Sequence, residues 1–469
     1  MKLSQVTLLA SCAGLCAVSR AQSPSWLNTT LTHLQQANPV STTPQTGIES
    51  LIKRENTTEP KDPMLQLSSD SDFHFEILRV LALAAYEGSD IGEVLVAANK
   101  IKAGDFESFY SAFYDLATRT DKKARSIDAS KHVVSARNTF FKAASYYRSA
   151  DFFLHGNWSD PRINSIWAKH LDAFNAAMKL LPIPGKRVTL HAKHDNFTIP
   201  ATFYSSGHAG PRPTLLLCNG YDGSQEEMFH VIGQAALQRG INVITFEGPG
   251  QPTVRREQEL GFIHEWEKVV TPVVDYAVTL PEVEKSSIGL LGLSFGGYLA
   301  PRAAAFEHRL AAVLAADGIY SFGQSLLNNF PDILKDPFLA GNATQFNYII
   351  EQALKSPEAP TAFKWAVDQG MWSFKVDNPF EWVKRSQEYT MKGLGDKVKA
   401  PVYVADAQND LFFPGQAEEL AKELGKKATF RKFLDSEGAG EHCSIGAQTL
   451  SNQEMLDWFE GVVGKKNCH

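Results

Sequence analysis

The sequence predicts an α/β protein, a mostly parallel sheet that follows an N-terminal helical domain and is interrupted by a helical insertion. Two patterns predict it: apolar residues at spacings of three and four before residue 187, and short apolar runs separated by helix-length segments after it. A third observation places chemistry on that frame. The apolar run 288–291 breaks into Gly292-Leu293-Ser294-Phe295-Gly296-Gly297, a Gly-x-Ser-x-Gly pattern that sets a serine hydroxyl on a sharp strand-to-helix turn.

The chain opens with Met1-Lys2-Leu3 and an apolar, small-residue stretch through Val18, then Ser19-Arg20-Ala21, which reads as a secretory signal peptide over 1–21. Asn28, Asn56, Asn157, Asn196 and Asn342 each begin an Asn-x-Ser/Thr sequon downstream of it. The expected location is therefore outside the cell or in a secretory-pathway vesicle or vacuole, with no Lys-Asp-Glu-Leu-type ending to retain the chain. No further stretch approaches the roughly 20 apolar residues of a membrane span. Cys12 and Cys16 fall in the signal segment, leaving Cys218, Cys443 and Cys468, too few for a disulfide framework. A Cys218–Cys443 bridge is geometrically conceivable, and two free thiols are the preferred reading. Loss of Lys2 and Arg20 takes the formal charge from −6 to −8, and no basic tract appears, which argues against nucleic-acid binding.

A polar Ser/Thr/Pro-rich leader over 22–68 precedes the helical domain, 69–186. Helical spacing runs over 74–86, 91–101, 106–117, 128–153 and 166–180, with Val133, Ala136, Phe140, Ala144 and Tyr147 as one stripe of the fourth segment. Such stripes read as core before they read as substrate contacts. The sheet domain begins over 187–319. Strands are expected over 187–194, 197–204, 214–218, 241–246, 288–291 and 311–315, then 401–405 and 429–433 in its second part, 396–469. Between the two parts, 320–395 is rich in aromatics and reads as a helical lid. Ligand crevices of open α/β sheets lie beyond the carboxyl ends of the strands.

Ser294 alone is a weak nucleophile and needs a base. His442, in Gly440-Glu441-His442-Cys443 after the last strand, is the candidate; Asp410, in the loop after 402–405, is the candidate acid, with Asp406 the runner-up. The order serine, acid, histidine is the one expected on this type of sheet. The Phe295 N–H and the N–H of Tyr221 or Asp222, in Asn219-Gly220-Tyr221-Asp222-Gly223-Ser224, are the expected oxyanion donors. That loop read blandly is a helix cap. Glu247, in Glu247-Gly248-Pro249-Gly250-Gln251, reads as architectural, or as a neighbour of the substrate entrance. His230 and His264 lack the strand-end context of the base, and His191 and His194 have no nearby cysteine or acidic pair to complete a zinc pattern, so no metal and no cofactor are expected.

Taken together, Gly88-Ser89-Asp90-Ile91-Gly92-Glu93-Val94-Leu95, Gly104-Asp105, the 219–224 and 247–251 loops, the serine turn and Gly440-Glu441-His442-Cys443 make the chain resemble one branch of the α/β-hydrolase superfamily. The branch holds fungal polyketide-shortening hydrolases and bacterial 2,6-dihydroxypseudooxynicotine hydrolases, and the resemblance spans about 70–460. It implies a helical domain that helps enclose the site, Ser294, Asp410 and His442 as nucleophile, acid and base, and cleavage of an ester or a carbon–carbon bond beside a carbonyl in a compact aromatic or polyketide-like metabolite. An additional acidic participant of the family has Asp317 as its candidate here. An acyl transferase or lactonising cyclase on the same residues is the second reading. A catalytically silent small-molecule binding module is the third. An exposed apolar face of the helical domain could support a homodimer.

Overall fold

The computed structural model describes residues 64–357 and 359–466. The signal segment, nearly all of the leader, Asn28, Asn56 and Cys468 lie outside the described residues. Five helices open the described chain: α1 Ser71–Ala82, α2 Ile91–Ala98, α3 Phe106–Ser126, α4 Val133–Asp151 and α5 Arg162–Met178. Asp70, Asp90 and Asp105 start the first three by accepting backbone N–H groups of the first turn, which would otherwise have no partner. Two helix starts differ from expectation. The Asp128 side chain accepts the Ser130 N–H and its carbonyl accepts from Lys131 and His132, so 128–132 is a turn and α4 begins at Val133. Asp160 accepts the Arg162 N–H, which starts α5 one turn before residue 166.

The burial pattern of these helices positions the site. Helix α1 is apolar on two sides: Phe73, Ile77 and Val80 enter the main core, while Phe75 and Leu78 pack on Ile445 near the end of the chain. In α4, Ala136, Phe140, Ala144 and Tyr147 are buried, but Val133 at its first position is exposed. From Ala143 to Asp151 the helix is buried all round, because it packs on α3 and α5 and its Arg148 and Asp151 reach Asp222 and Arg256 of the sheet domain. Arg148 and Asp151 there are held by ion pairs, the condition under which charge survives burial.

Eight strands follow: β1 Lys186–His191, β2 Thr198–Tyr204, β3 Arg212–Cys218, β4 Asn242–Phe246, β5 Val283–Leu293, β6 Ala312–Ala316, β7 Val402–Ala407 and β8 Ala428–Phe433. Their order is β1-β2-β4-β3-β5-β6-β7-β8. The β1–β2 and β2–β4 pairs are antiparallel, and every pair from β4 onward is parallel. Leu215, Leu217, Leu290 and Leu291 of the central strands are buried with neighbours on both faces, which is why they read as unbroken apolar runs.

Between β6 and β7 the chain leaves the sheet for five helices, Phe322–Asn329, Asp332–Leu339, Ala343–Lys355, Thr361–Phe374 and Pro379–Ser386. Its two ends are stitched together by a bridge between Ser321 and Thr390 and by the Met391 N–H donating to the Tyr320 carbonyl at 2.8 Å. Cys218 and Cys443 are both free thiols, so no bridge joins them. Among the described residues no helix is long and apolar enough to cross a membrane.

Candidate active site

The turn after β5 carries Ser294 at φ 59°, a left-handed conformation that non-glycine residues seldom adopt. Its neighbours make that conformation fit. A side-chain carbon on Gly292 would collide with the Gly296 carbonyl, and one on Gly297 would collide with the Asp317 carbonyl at the end of β6. Gly296 itself has more room, its nearest neighbour being the Cys218 carbonyl oxygen at 3.0 Å, so Gly292 and Gly297 are the two positions with no space for a side chain. Helix Gly296–Ala304 then runs away from the serine, with Phe295 at its N-cap.

Three strand ends converge on this turn. His442 Nε2 lies 2.8 Å from Ser294 Oγ, and His442 Nδ1 lies 2.9 Å from Asp410 Oδ2. An ionised carboxylate only accepts, so in the neutral ring Nδ1 carries the proton and Nε2 is left to accept the serine hydroxyl. Asp410 is held by the loop after β7, its Oδ1 accepting the Phe412 and Phe413 N–H groups at 2.8 and 3.0 Å. Burial opposes the charge on Asp410, but the imidazole and those two N–H groups outweigh it and hold the carboxyl below its ordinary value. For His442, burial disfavours the imidazolium, yet the Asp410 carboxylate, helped by Asp317, lifts the ring well above the ordinary histidine value.

Asp317, just past β6, reaches the same ring: its Oδ2 is 3.3 Å from His442 Nδ1 and accepts the Cys443 N–H at 2.7 Å. Burial first, and then the neighbouring Asp410 charge, push its carboxyl up. Asp406 does not touch the histidine; it lies 3.6 Å from Lys432 Nζ, and burial with the Asp317 charge raises it to about 7. Cys443 Sγ is 3.2 Å from the Ala316 carbonyl and 3.4 Å from His442 Nε2. Asp317, His442 and Cys443 thus gather ligand-type atoms within 4.8 Å of one another, the only such group of three among the described residues. A metal ion there would compete with the ring's contacts to Ser294 and Asp410.

The loop after β3 passes directly in front of Ser294. A Cβ on Gly220 would sit 2.8 Å from the Phe295 nitrogen and 2.9 Å from Ser294 Cβ, so only glycine leaves that space open. The Asp222 side chain points away to the helical part, where its Oδ1 meets Arg79 Nη1 at 2.9 Å and Arg148 Nη2 at 3.0 Å. Glu227 joins the same buried network and accepts from Asn219 Nδ2 at 3.2 Å. Glu247 lies away from Ser294 in its contacts: its oxygens accept the Gln225 and Thr253 N–H groups at 2.9 and 2.6 Å, tying the ends of two loops together. His191 and His194 are exposed, and His230 is buried with its Nδ1 on the Tyr86 carbonyl.

Aromatic rings enclose the histidine. Phe412, Phe413 and Phe75 lie 5.0, 5.7 and 6.1 Å from its ring, and Tyr221, Phe322 and Phe374 of the loop and insertion pack around Phe295. Sequence reasoning missed Phe75, Arg79 and Arg148. The only trace of them was the second apolar side of α1 and the charged residues inside the α4 stripe.

Comparison with known proteins bears on the fold and the family. A model of the FrsA-like esterases matches residues 113–334. A hydrolase of a Fusarium species is 30% identical over 418 residues, covering 86% of this chain and 99% of its own. The α/β hydrolase psoB of Aspergillus fumigatus is 30% identical over 84% of this chain and 93% of its own. The 20-hydroxy-prefusarin hydrolase of Gibberella moniliformis is 29% identical over 84% of this chain and 97% of its own. Among solved structures, the 2,6-dihydroxy-pseudo-oxynicotine hydrolase superposes with a TM-score of 0.63 at 22% identity, over 81% of this chain and 95% of that one. A serine turn at the end of β5, a mostly parallel eight-stranded sheet and relatives 30% identical along nearly their whole length lead to one conclusion: the chain belongs to the α/β-hydrolases.

Proposed function

We propose that the protein is a serine hydrolase that cleaves an ester, or a carbon–carbon bond beside a carbonyl, in a compact aromatic or polyketide-like secondary metabolite. The hydrogen-bonded series Asp410, His442, Ser294 carries the reading. In it His442 Nε2 takes the Ser294 proton as Oγ attacks the carbonyl carbon, and Asp410 stabilises the imidazolium that forms. The Phe295 N–H and an amide of the 220–222 loop receive the developing oxyanion. The imidazolium then protonates the leaving group, at oxygen for an ester and at carbon for the enolate of a β-dicarbonyl compound. Water, deprotonated by His442, releases the acyl group. Asp317 acts as a second acceptor on Nδ1 and steadies the imidazolium during the slower protonation at carbon.

The aromatic enclosure of His442 supports an aromatic, water-excluded substrate, and the fungal relative that acts on 20-hydroxy-prefusarin supports the metabolite class. Passage through the secretory pathway is part of the proposal: Asn157, Asn196 and Asn342 are all exposed, where a glycan could be attached. A mobility shift on glycosidase treatment of the native protein tests that part.

Ser294→Ala tests the chemistry. It is expected to abolish labelling by a fluorophosphonate probe and to lower ester turnover by about 10⁴-fold or more at unchanged thermal stability. Labelling that persists in the variant would remove Ser294 from its role. Product isolated from ¹⁸O water separates hydrolysis, which must incorporate the label, from intramolecular acyl transfer, which need not.

A further inference from the structure

Two buried glutamines grip successive peptide planes of the loop in front of Ser294. Gln251, fully buried, accepts the Gly248 N–H on Oε1 at 2.9 Å and donates from Nε2 to the Asn219 carbonyl at 2.7 Å and the Gly220 carbonyl at 3.3 Å. Gln369, on the insertion helix Thr361–Phe374, donates from Nε2 to the Tyr221 carbonyl at 2.9 Å. Its Oε1 lies 2.6 Å from His155 Nδ1, which faces only this acceptor and therefore donates. His155 follows α4, and its Nε2 is set between Arg256 Nη2 at 3.0 Å and Asp151 Oδ2 at 3.3 Å. Each glutamine oxygen is thus occupied by an N–H, so neither amide gains by flipping and each nitrogen is committed to the loop.

The carbonyl and the N–H of a trans peptide point in opposite directions. A bond to the Gly220 carbonyl therefore aims the Tyr221 N–H, and a bond to the Tyr221 carbonyl aims the Asp222 N–H. Those are the two amides that can complete the oxyanion site with Phe295. Donation to a peptide carbonyl also polarises the N–H on the other side of the same plane. We propose that Gln251 and Gln369 are positioning residues that aim the loop amides at the oxyanion, so that the insertion, through Gln369, and the helical part, through His155, help to set transition-state stabilisation. The proposal rests on Ser294 being the nucleophile.

The test uses full-length protein, a p-nitrophenyl ester as turnover probe, an aryl trifluoromethyl ketone whose serine adduct carries an oxyanion, and a fluorophosphonate to count competent sites. Gln369→Leu is expected to lower kcat per labelled site by about tenfold to a hundredfold, the scale of a misplaced catalytic group, with KM changed less than about threefold. Affinity for the ketone should fall by the same factor as kcat. His155→Ala, which frees the Gln369 amide to rotate, should move both quantities in the same direction by less. Gln251→Glu retains size but turns an oxygen toward two carbonyls, and should reproduce the pattern if Gln251→Leu does not fold. Ketone affinity and labelling rate read the oxyanion site without turnover. A Gln369→Leu enzyme with fewer competent sites but unchanged kcat per site and ketone affinity would reduce these residues to packing and overturn the proposal. Turnover and labelling that survive in Ser294→Ala would instead overturn the nucleophile on which it depends.

Discussion

At the scale of single residues, the candidate site is a set of mutually held polar groups in a buried, aromatic surrounding. His442 has two carboxylates at one nitrogen and a hydroxyl at the other, and its affinity for protons is set by their balance against burial. A histidine that must be neutral to accept the serine proton works only above its own pKa. Because the neighbouring carboxylates raise that value, kcat/KM should rise with pH along a limb centred above about 6.5, the ordinary histidine value. Asp410→Asn removes the nearer anion, so the His442 ring should titrate at lower pH, while turnover falls by about 10⁴-fold through loss of the correct tautomer. An NMR titration of the ring in both proteins reads the direction; an upward movement in the variant would mean that Asp410 does not dominate the imidazole.

At the scale of elements, each residue of the candidate site lies beyond the carboxyl end of a strand: Asn219 after β3, Ser294 after β5, Asp317 after β6, Asp410 after β7 and, past a further turn, His442 after β8. The serine turn works because β5, its helix and the end of β6 approach more closely than side chains allow. Gly297→Ala would press a methyl into the Asp317 carbonyl and so into the second acid of the site. It is expected to cost about 3 kcal/mol and most fluorophosphonate labelling, whereas Gly296→Ala, with space to 3.0 Å, should cost clearly less. Urea unfolding of the two variants side by side measures the difference. The strand runs and the serine turn were legible in the sequence because their signals are local. The helix starts at 133 and 162 were not, because the Asp128 side chain makes a turn that competes with helix and Asp160 starts the next helix ahead of its apolar stripe.

At the scale of the whole molecule, the helical part, the sheet and the insertion meet at the loop after β3. Arg79 from α1 and Arg148 from α4, both buried, converge on buried Glu76 and Glu227 and on half-buried Asp222. Removing one partner from such a network leaves charge uncompensated in a medium that solvates it poorly. Asp222→Ala is therefore expected to destabilise the protein by about 3–5 kcal/mol and to lower turnover per competent site, because the same carboxylate anchors the loop facing Ser294. Denaturant unfolding with active-site counting separates the two effects; a change confined to stability would show that the anchor does not reach the chemistry.

By itself the sequence marked the sheet's apolar strands, the sharp serine turn and Ser294, Asp410 and His442 as candidates, because each is signalled by residues within a few positions of it. It also marked Asp317 as a strand-end acid. Only the tertiary structure decided that Asp317 shares Nδ1 of His442 with Asp410, that Phe75 of α1 packs against His442, and that Gln369 and Gln251 hold the loop in front of Ser294. Those contacts join residues 32 to 367 positions apart. Hydrogen bonds and ring contacts of that kind have no local period or spacing to betray them, since they arise only when separate elements are packed against one another.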